Sequence, residues 1–305
     1  MTTAAPYPIG TPGIPWDAAE VETWRSRQVR QRSYQDEVLA RIEALRSRYD
    51  VSPYGQLDYQ PDHYPLMAIR SRHWSDELPV MLVTGGVHGY ETSGVHGALQ
   101  FVEDHAQLYA GRINLIVAPC VSPWGYERIH RWNPQALDPN RAFRSDSLVP
   151  EATALKALVE PLGDQVLMHI DLHETTDTDE SEFGPARAAR DGSTYRPVVI
   201  PDGFYLVGNS ENPQPAFQQA IIQAVSLMTH IAQTDSRGTI IGLATASPGV
   251  VNTPSRRLGV CGGITAARYT TTTEVYPDSA RTTAQQCNAA QVAAVCAAID
   301  FALAT

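Results

Sequence analysis

The chain has 305 residues, of which 43% are hydrophobic and 18% are charged, and its formal net charge is −10. These values are ordinary for a globular protein, and the length allows a sizeable core. The basic residues are scattered apart from "WRSRQVRQR" (24–32), which is predicted to lie on one helix face. Nucleic-acid binding needs clustered Lys and Arg, so this class of partner is excluded.

Residues 1–16 are rich in Pro and Gly and are predicted to form an extended arm. They lack the basic and apolar regions of a secretory signal, and no apolar run approaches the roughly 20 residues that a membrane helix needs. We therefore expect a cytoplasmic protein without a membrane partner. Residues 17–49 show amphipathic spacing and predict one long helix, with Asp17 as its cap.

From residue 51 onward, strand-like and helix-like segments alternate along the chain. Strands are predicted over 56–60, 65–71, 79–86, 113–119, 165–173, 204–207 and 267–276, and helices over 91–108, 151–162, 215–232 and 282–303. This alternation predicts an α/β fold in a single domain, with a mixed, mostly parallel sheet flanked by helices on both faces. The acidic segment "ETTDTDESEFG" (174–184) is predicted to be a solvated surface loop.

The stretch "GGVHGYETSG" (85–94) places His88 and Glu91 three residues apart, where a buried strand ends and a helix begins. Open α/β sheets hold their ligand sites at such strand ends, and the two glycines allow a tight turn there. The spacing alone is weak evidence, because His73 and Asp76 repeat it. That second pair is surrounded by polar residues and is interpreted as part of a surface loop.

A catalytic zinc site needs a third protein ligand and one position open for water. His173, at the end of the strand "VLMHIDLH", is the best candidate, because its strand ends at the same edge of the sheet. Strand alternation puts His169, Asp171 and His173 on one face. Asp171 is predicted to orient a ligand or the substrate from behind the metal site, and His169 to be a core histidine.

Hydrolysis at such a site also needs a carboxylate that is not a metal ligand. Glu274 ends the β-branched stretch "YTTTTEV" and is the candidate. The alternative, a solvent-facing residue on an edge strand, stays open at this point.

Four further polar residues, Arg128, Arg131, Asn140 and Arg141, lie in an irregular stretch between the ligand motifs. Arginines beside a metal can stabilise an oxyanion or hold a carboxylate with two hydrogen bonds. We interpret Arg128, Asn140 and Arg141 as candidate substrate-binding residues. The alternative is that the arginines form loop salt bridges.

The order of these motifs, HxxE, P-x-G-(x)5-R, D-x-N-R, DLH and a strand-borne Glu, resembles the zinc carboxypeptidase superfamily, which includes the aspartoacylase and succinylglutamate desuccinylase branch. The resemblance spans residues 79–277. It implies one zinc per chain, bound by His88, Glu91 and His173. It also implies Glu274 as general base and acid, Arg131 as the oxyanion-stabilising residue, and Asn140 with Arg141 as the pair that holds the substrate carboxylate.

The sequence departs from the superfamily pattern in ways that leave the branch open. "DPNR" replaces the usual "DLNR", and "DLHETT" with its short gap from Glu91 is more similar to the deacylase branch. "SPWGYERIHRWN" is more similar to the peptidase branch, and "GVVNTPSRRLG" stands where peptidases carry a substrate-capping Tyr. We expect residues 1–50 to form an addition packed on a carboxypeptidase-like catalytic domain, residues 51–305.

Three functions follow as hypotheses. The first is a zinc metallocarboxypeptidase that removes the C-terminal residue of a peptide. The second is a deacylase that cleaves an N-acyl amino acid, and the third is a noncatalytic α/β binding protein. The third would be favoured if a metal ligand or the glutamate were missing, and neither is missing.

Overall fold

The structure is a computed structural model that describes residues 7–305. Residues 1–6, part of the predicted arm, lie outside the described residues. The α-helices are α1 (Ala18–Ser26), α2 (Ala40–Ala44), α3 (Thr92–Asp104), α4 (Pro123–Arg128), α5 (Pro150–Val159), α6 (Gly184–Arg190), α7 (Pro215–Val225), α8 (Ser255–Leu258) and α9 (Ala284–Ala304). The strands are β1 (Asp50–Tyr59), β2 (Asp62–Arg70), β3 (Val80–Gly85), β4 (Asn114–Ala118), β5 (Val166–Glu174), β6 (Tyr205–Asn209), β7 (Thr239–Ile240), β8 (Leu243–Ser247), β9 (Val250–Thr253) and β10 (Tyr269–Val275).

The strands form a single ten-stranded mixed sheet in the order β1-β2-β4-β3-β5-β10-β6-β9-β8-β7. Its centre, β4-β3-β5-β10, is parallel, and the pairs outside this centre are antiparallel except for β6 with β9. This arrangement confirms the predicted α/β class and mixed sheet. It also brings the carboxyl ends of β3, β5 and β10 to the same edge, where ligand sites form in such folds.

Helices cover both faces of this sheet, as the alternation in β3 illustrates. Met81 and Val83 join the larger core cluster, which contains buried residues of α3, α7 and α9. Val80 and Leu82 join a second cluster on the opposite face, which contains buried residues of α5. The centre of the sheet is therefore apolar on both sides, as parallel sheets require.

The prediction that no segment is long and apolar enough to cross a membrane is wrong for helix α9. By length and composition alone it could cross a membrane, but half of its most apolar stretch is buried inside the protein. Its buried residues, among them Val295 and Ile299, belong to the same core cluster as those of α3 and α7. Such burial is what a core helix shows, so its apolar character is explained by packing within the fold.

The long helix predicted over residues 17–49 is wrong. Helix α1 ends at Ser26, residues 28–33 are non-helical, and a π-helical turn (Gln35–Leu39) precedes α2. The reason is tertiary: the backbone amides of Gln31 and Arg32 both donate to the carbonyl of Glu127, at 2.7 and 3.2 Å. These bonds replace the hydrogen bonds that a continuous helix would make within itself. The strands β7, β8 and β9 were also not predicted.

Candidate metal centre and active site

His88, Glu91 and His173 meet where β3, α3 and β5 come together. His88 follows β3, Glu91 immediately precedes α3, and His173 is the penultimate residue of β5. The Nδ1 atoms of His88 and His173 lie 2.7 Å from Oε1 and Oε2 of Glu91, respectively. One ligand atom from each residue lies within 4.8 Å of the other two, so a single ion could contact all three.

One aspartate lies on the far side of each imidazole ring. His88 Nε2 lies 2.9 Å from Asp138 Oδ1, and His173 Nε2 lies 2.7 Å from Asp171 Oδ2. A carboxylate on one ring nitrogen fixes the tautomer and leaves the other nitrogen to face a metal. Asp171 also accepts a hydrogen bond of 2.6 Å from Thr84, which fixes its own orientation. Asp171 thus lies behind a candidate ligand, held by Thr84.

The electrostatics of the triad favour a positive charge at its centre. Burial alone would raise the pKa of Glu91, but the two histidines outweigh burial and lower that pKa to about 2. Burial would lower the pKa of His173, but Asp171 and Glu91 raise it well above its usual value. The carboxylates therefore stabilise a cation at this place.

The donor set fits zinc. Two imidazole nitrogens and one carboxylate are ligands that zinc takes, and three protein ligands leave a position for water. Glu91 Oε2 is buried and, despite its 2.7 Å contact with His173 Nδ1, receives no aligned hydrogen bond from the described residues. A buried carboxylate oxygen without a donor is costly unless a cation contacts it.

The acidic segment 174–184, predicted to be solvated, instead enters the site. Glu174 is 5% exposed, and Thr175 and Thr176 are buried beside it. The carboxylate of Glu174 accepts the backbone N–H groups of Thr92 and Ser93, at 3.1 and 2.7 Å. It thereby satisfies two donors at the start of α3, for which Glu91 provides no side-chain cap, and ties that helix to β5.

Glu274 comes to the same site from β10, which pairs with β5 so that Glu274 lies opposite His173. Its Oε2 accepts a hydrogen bond of 2.9 Å from the Thr175 hydroxyl, whose oxygen lies 2.8 Å from the hydroxyl of Tyr205. Burial raises the pKa of Glu274 to about 8. A carboxylate with a pKa near neutrality can both accept and return a proton.

Arg131 lies on the other side of His88. Its Nε donates to Asp138 Oδ2 at 3.1 Å, and one terminal nitrogen donates to Asp179 Oδ1 at 3.0 Å. Tyr90 also donates to Asp179, at 2.9 Å. Among the described residues, none accepts from the second terminal nitrogen, Nη2, so the guanidinium is fixed while one N–H pair stays available.

Asn140 and Arg141 follow Asp138 in a 3₁₀ turn (Pro139–Arg141). Asn140 Oδ1 accepts the backbone N–H of Cys261 at 2.7 Å, and its Nδ2 lies 3.4 Å from His173 Nε2. Arg141 is open to solvent, donates to the carbonyl of Asn140, and has no carboxylate within ion-pair distance in residues 7–305.

Arg128 does not join this group, which corrects its prediction as a substrate-binding residue. Its guanidinium donates to Asp62 and Tyr64, at 2.6 and 3.0 Å, and stacks on Trp124 at 4.6 Å. These partners lie on β2 and α4, and Arg128 does not line the cavity at the metal centre. Arg128 therefore forms a salt bridge, which was the alternative considered for the arginines.

A cavity of about 430 Å³ opens over the metal centre. Six residues that the sequence analysis singled out line this cavity: His88, Glu91, Arg131, Asn140, Arg141 and Glu274. Thr175, which the sequence analysis did not assign, lines it as well. Its outer wall is largely apolar and includes Val198, Ile241 and Leu243, and it also carries Arg187. A small molecule with a charged and an apolar part would fit such a cavity.

Comparison with known proteins gives one family match and many similar folds. Residues 77–190 match the family model of the succinylglutamate desuccinylase/aspartoacylase catalytic domain. No curated protein matches the chain. A protein from Shewanella denitrificans OS217, proposed to be a metallopeptidase, is 18% identical, with a TM-score of 0.64 over 88% of this chain and 90% of its own.

Two solved carboxypeptidases have the same fold at lower identity. The metallo-carboxypeptidase of Pseudomonas aeruginosa is 15% identical, with a TM-score of 0.57 over 88% of this chain and 69% of its own. Carboxypeptidase A of Helicoverpa armigera is 12% identical, with a TM-score of 0.58 over 96% of this chain and 75% of its own. The predicted resemblance to the zinc carboxypeptidase superfamily is confirmed.

The structure also brings polar residues to the site that the sequence analysis did not assign. Asp138, Thr175 and Asp179 each hydrogen-bond to a candidate functional residue. Asp138 belongs to the D-x-N-R motif by which the zinc carboxypeptidase superfamily was suggested, so its position in that motif could have indicated it. Thr175 and Asp179 lie in the acidic segment and have no comparable signal.

Proposed function

We propose that the protein is a zinc-dependent hydrolase of the metallocarboxypeptidase type, which removes the C-terminal residue of a peptide. The observation that carries this proposal is that Arg141, without a carboxylate partner among residues 7–305, and the half-buried Glu274 line one cavity with His88 and Glu91, beside which His173 completes the triad. Cleavage of a bond next to a free carboxylate needs a cation for that carboxylate and a base that is not a metal ligand.

One zinc ion held by His88, Glu91 and His173 would lower the pKa of a water molecule and polarise the scissile carbonyl. Glu274 accepts the proton of that water and passes it to the leaving nitrogen. The Thr175 hydroxyl holds Oε2 of Glu274, and no described residue donates to Oε1, so Oε1 is the proton acceptor. The raised pKa of Glu274 makes its carboxylate a stronger base for that proton.

The two arginines have separate roles in this mechanism. Arg141 binds the free carboxylate of the substrate, and Asn140 lies beside it as a second donor. Arg131 donates to the oxygen on which negative charge develops as water attacks. Its fixed contacts to Asp138 and Asp179 support this role, because a donor that is already oriented needs no rearrangement during the reaction.

A deacylase acting on an N-acyl amino acid is the second candidate. The match of residues 77–190 to the succinylglutamate desuccinylase/aspartoacylase catalytic domain supports it. Such a substrate has the same amide bond next to a free carboxylate, so the roles of the zinc, Glu274 and both arginines are unchanged. The similar structures named as carboxypeptidases support the first candidate through their fold. The Pseudomonas enzyme was solved with a succinic acid derivative, which fits a carboxylate-binding site in either case.

The test is hydrolysis by the zinc-loaded protein of short peptides with free and amidated C-termini, side by side with N-acyl amino acids. We expect release of the C-terminal residue from free peptides and little from amidated ones. Preferential hydrolysis of N-acyl amino acids would favour the deacylase. Equal cleavage of free and amidated substrates would contradict both candidates, since neither would then use the carboxylate.

A further inference from the structure

The break in the predicted long helix brings Arg32 against the loop that carries two metal ligands. Arg32 is the last residue of "WRSRQVRQR", the basic stretch that the site described above does not use. Its guanidinium donates from Nε to the carbonyl of Tyr126 at 2.5 Å, and from Nη2 to the carbonyl of Gly89 at 2.9 Å. Its Nη1 donates to the Thr92 hydroxyl at 2.8 Å. All three nitrogens of the side chain are therefore engaged.

The three acceptors belong to two segments that must stay together. Gly89 and Thr92 stand on either side of Glu91, and Gly89 directly follows His88, whereas Tyr126 belongs to α4. The ligand loop and α4 pack closely at Gly89, because a Cβ atom at this position would lie 2.0 Å from the backbone nitrogen of Tyr126. The guanidinium also lies 3.8 Å over the Tyr126 ring. Arg32 thus bridges the ligand loop to α4.

We propose that Arg32 is a positioning residue for the metal centre, which holds His88 and Glu91 in the arrangement that binds the ion. The proposal rests on the metal site assigned above. The proposal also assigns the N-terminal segment a structural role at the metal site. The planar fork of arginine is needed, because three acceptors in fixed directions cannot all be reached by the compact ammonium group of lysine.

The test compares zinc affinity in Arg32→Met, Arg32→Lys and a matched control, Arg30→Met. Arg30 lies in the same segment and pairs with Asp62 and Glu127, at 2.9 and 2.8 Å, away from the ligand loop. Zinc affinity is measured by competition with a chromophoric chelator, and unfolding is measured without zinc. We expect Arg32→Met to weaken zinc binding by about tenfold or more, as changes to residues that orient ligands do. Arg32→Lys should lie between that variant and the wild type, and Arg30→Met should stay near the wild type.

Equal zinc affinity in Arg32→Met and Arg30→Met would overturn the proposal. Should Arg32→Met fail to fold, Thr92→Val takes its place, because it removes one of the three hydrogen bonds of Arg32. This variant should weaken zinc binding severalfold. Unchanged zinc affinity in Thr92→Val would then overturn the proposal. The metal site is tested separately by His173→Ala. Zinc binding that His173→Ala leaves intact would contradict the site itself, whereas binding lost in His173→Ala but kept in Arg32→Met would contradict only the role of Arg32.

Discussion

Glu274 reaches the metal centre with one carboxylate oxygen fixed by Thr175 and the other without a donor among the described residues. In Glu274→Gln the amide keeps the shape of the side chain but cannot accept the proton of water. We expect kcat to fall by about 10²–10⁴-fold with zinc content unchanged. The measurement is turnover on the best substrate of the screen, with metal analysis of the same sample. Glu77→Gln, at an exposed position, is the control, and near-normal turnover of Glu274→Gln would reject this residue as the base.

The kinetics of the two arginine variants should differ. Arg141→Ala removes a contact that is made in the ground state and kept in the transition state, so we expect mainly a higher KM and less discrimination against amidated substrates. Arg131→Ala removes a donor to the developing oxyanion, so we expect kcat to fall by about 10²–10³-fold.

Initial rates over a range of substrate concentration check both arginine predictions, and melting temperatures of both variants serve as the control. A loss of stability that accounts for the loss of activity would favour a purely structural role, like that of Arg128.

Sequence reasoning could identify residues whose positions follow from the ends of strands. His88, Glu91, His173 and Glu274 each lie at the end of a recognisable strand or the start of a helix, and parallel strands end together. The structure brings these four residues together, since His88, Glu91 and Glu274 line one cavity and His173 lies 2.7 Å from Glu91. Asp138, Thr175 and Asp179 could not be assigned in this way, because their roles depend on hydrogen bonds between segments distant in sequence. The P-x-G-(x)5-R motif singled out Arg131, whereas Arg128 fitted no motif, and only its partners Asp62 and Tyr64 show that it lies away from the site.

At the scale of elements, periodicity predicted the central strands and the helices after residue 90 that it assigned, since each buries an apolar face. It failed where contacts between segments outweigh local preference. The segment 28–33 has no Gly or Pro, yet it leaves the helical conformation to bond with Glu127. The acidic segment 174–184 is polar by composition, but Glu174 is buried because it caps α3.

Helix α3 carries a histidine that should make stability depend on pH. His96 Nδ1 lies 2.7 Å from Arg41 and Nε2 lies 3.0 Å from the Tyr126 hydroxyl, so the ring is neutral with its proton on Nε2. Burial, with the charges of Arg41 and Arg32, lowers the pKa of His96 to about 4. Between about pH 6.5 and pH 4 the unfolded chain therefore binds the proton and the folded protein does not. The contribution of His96 to the free energy of unfolding is therefore complete above pH 6.5 and is lost as the pH falls toward 4.

We expect His96→Gln to flatten the pH dependence of unfolding in this window, by on the order of 2–3 kcal/mol between pH 7 and pH 4. Urea unfolding of the zinc-free protein at several pH values measures it, because the difference from the wild type isolates this one group. His73→Gln, in an exposed loop, is the control and should follow the wild type. Parallel curves for His96→Gln and the wild type would contradict the prediction.

For the whole molecule, the division into residues 1–50 and 51–305 remains a proposal. Trp24, Tyr34, Val38 and Ile42 are buried in the same core cluster as the sheet and α9. The N-terminal segment therefore contributes to the main core as well as contacting the ligand loop. Even if this segment is an addition to the superfamily fold, we do not expect residues 51–305 to fold without it.

The metal centre joins β3, α3 and β5, so zinc binding should stabilise the entire fold. A ligand that binds the folded state and not the unfolded chain stabilises it by about 4 kcal/mol when its concentration is 1,000 times the Kd. We expect added zinc to raise the Tm of the wild type and a chelator to lower it. His173→Ala should lose this response, because two of three ligands bind zinc weakly.

The matched control for this comparison is His169→Gln, which changes a histidine of the same strand and face that is not a ligand. It should be destabilised by the loss of its contact with Thr84, 3.0 Å away, yet keep the response to zinc. The test is thermal unfolding of all three proteins with zinc and with chelator. A zinc response retained in His173→Ala would show that the stabilising ion is not held by the triad. A response lost equally in both variants would show that the loss is not specific to a ligand residue.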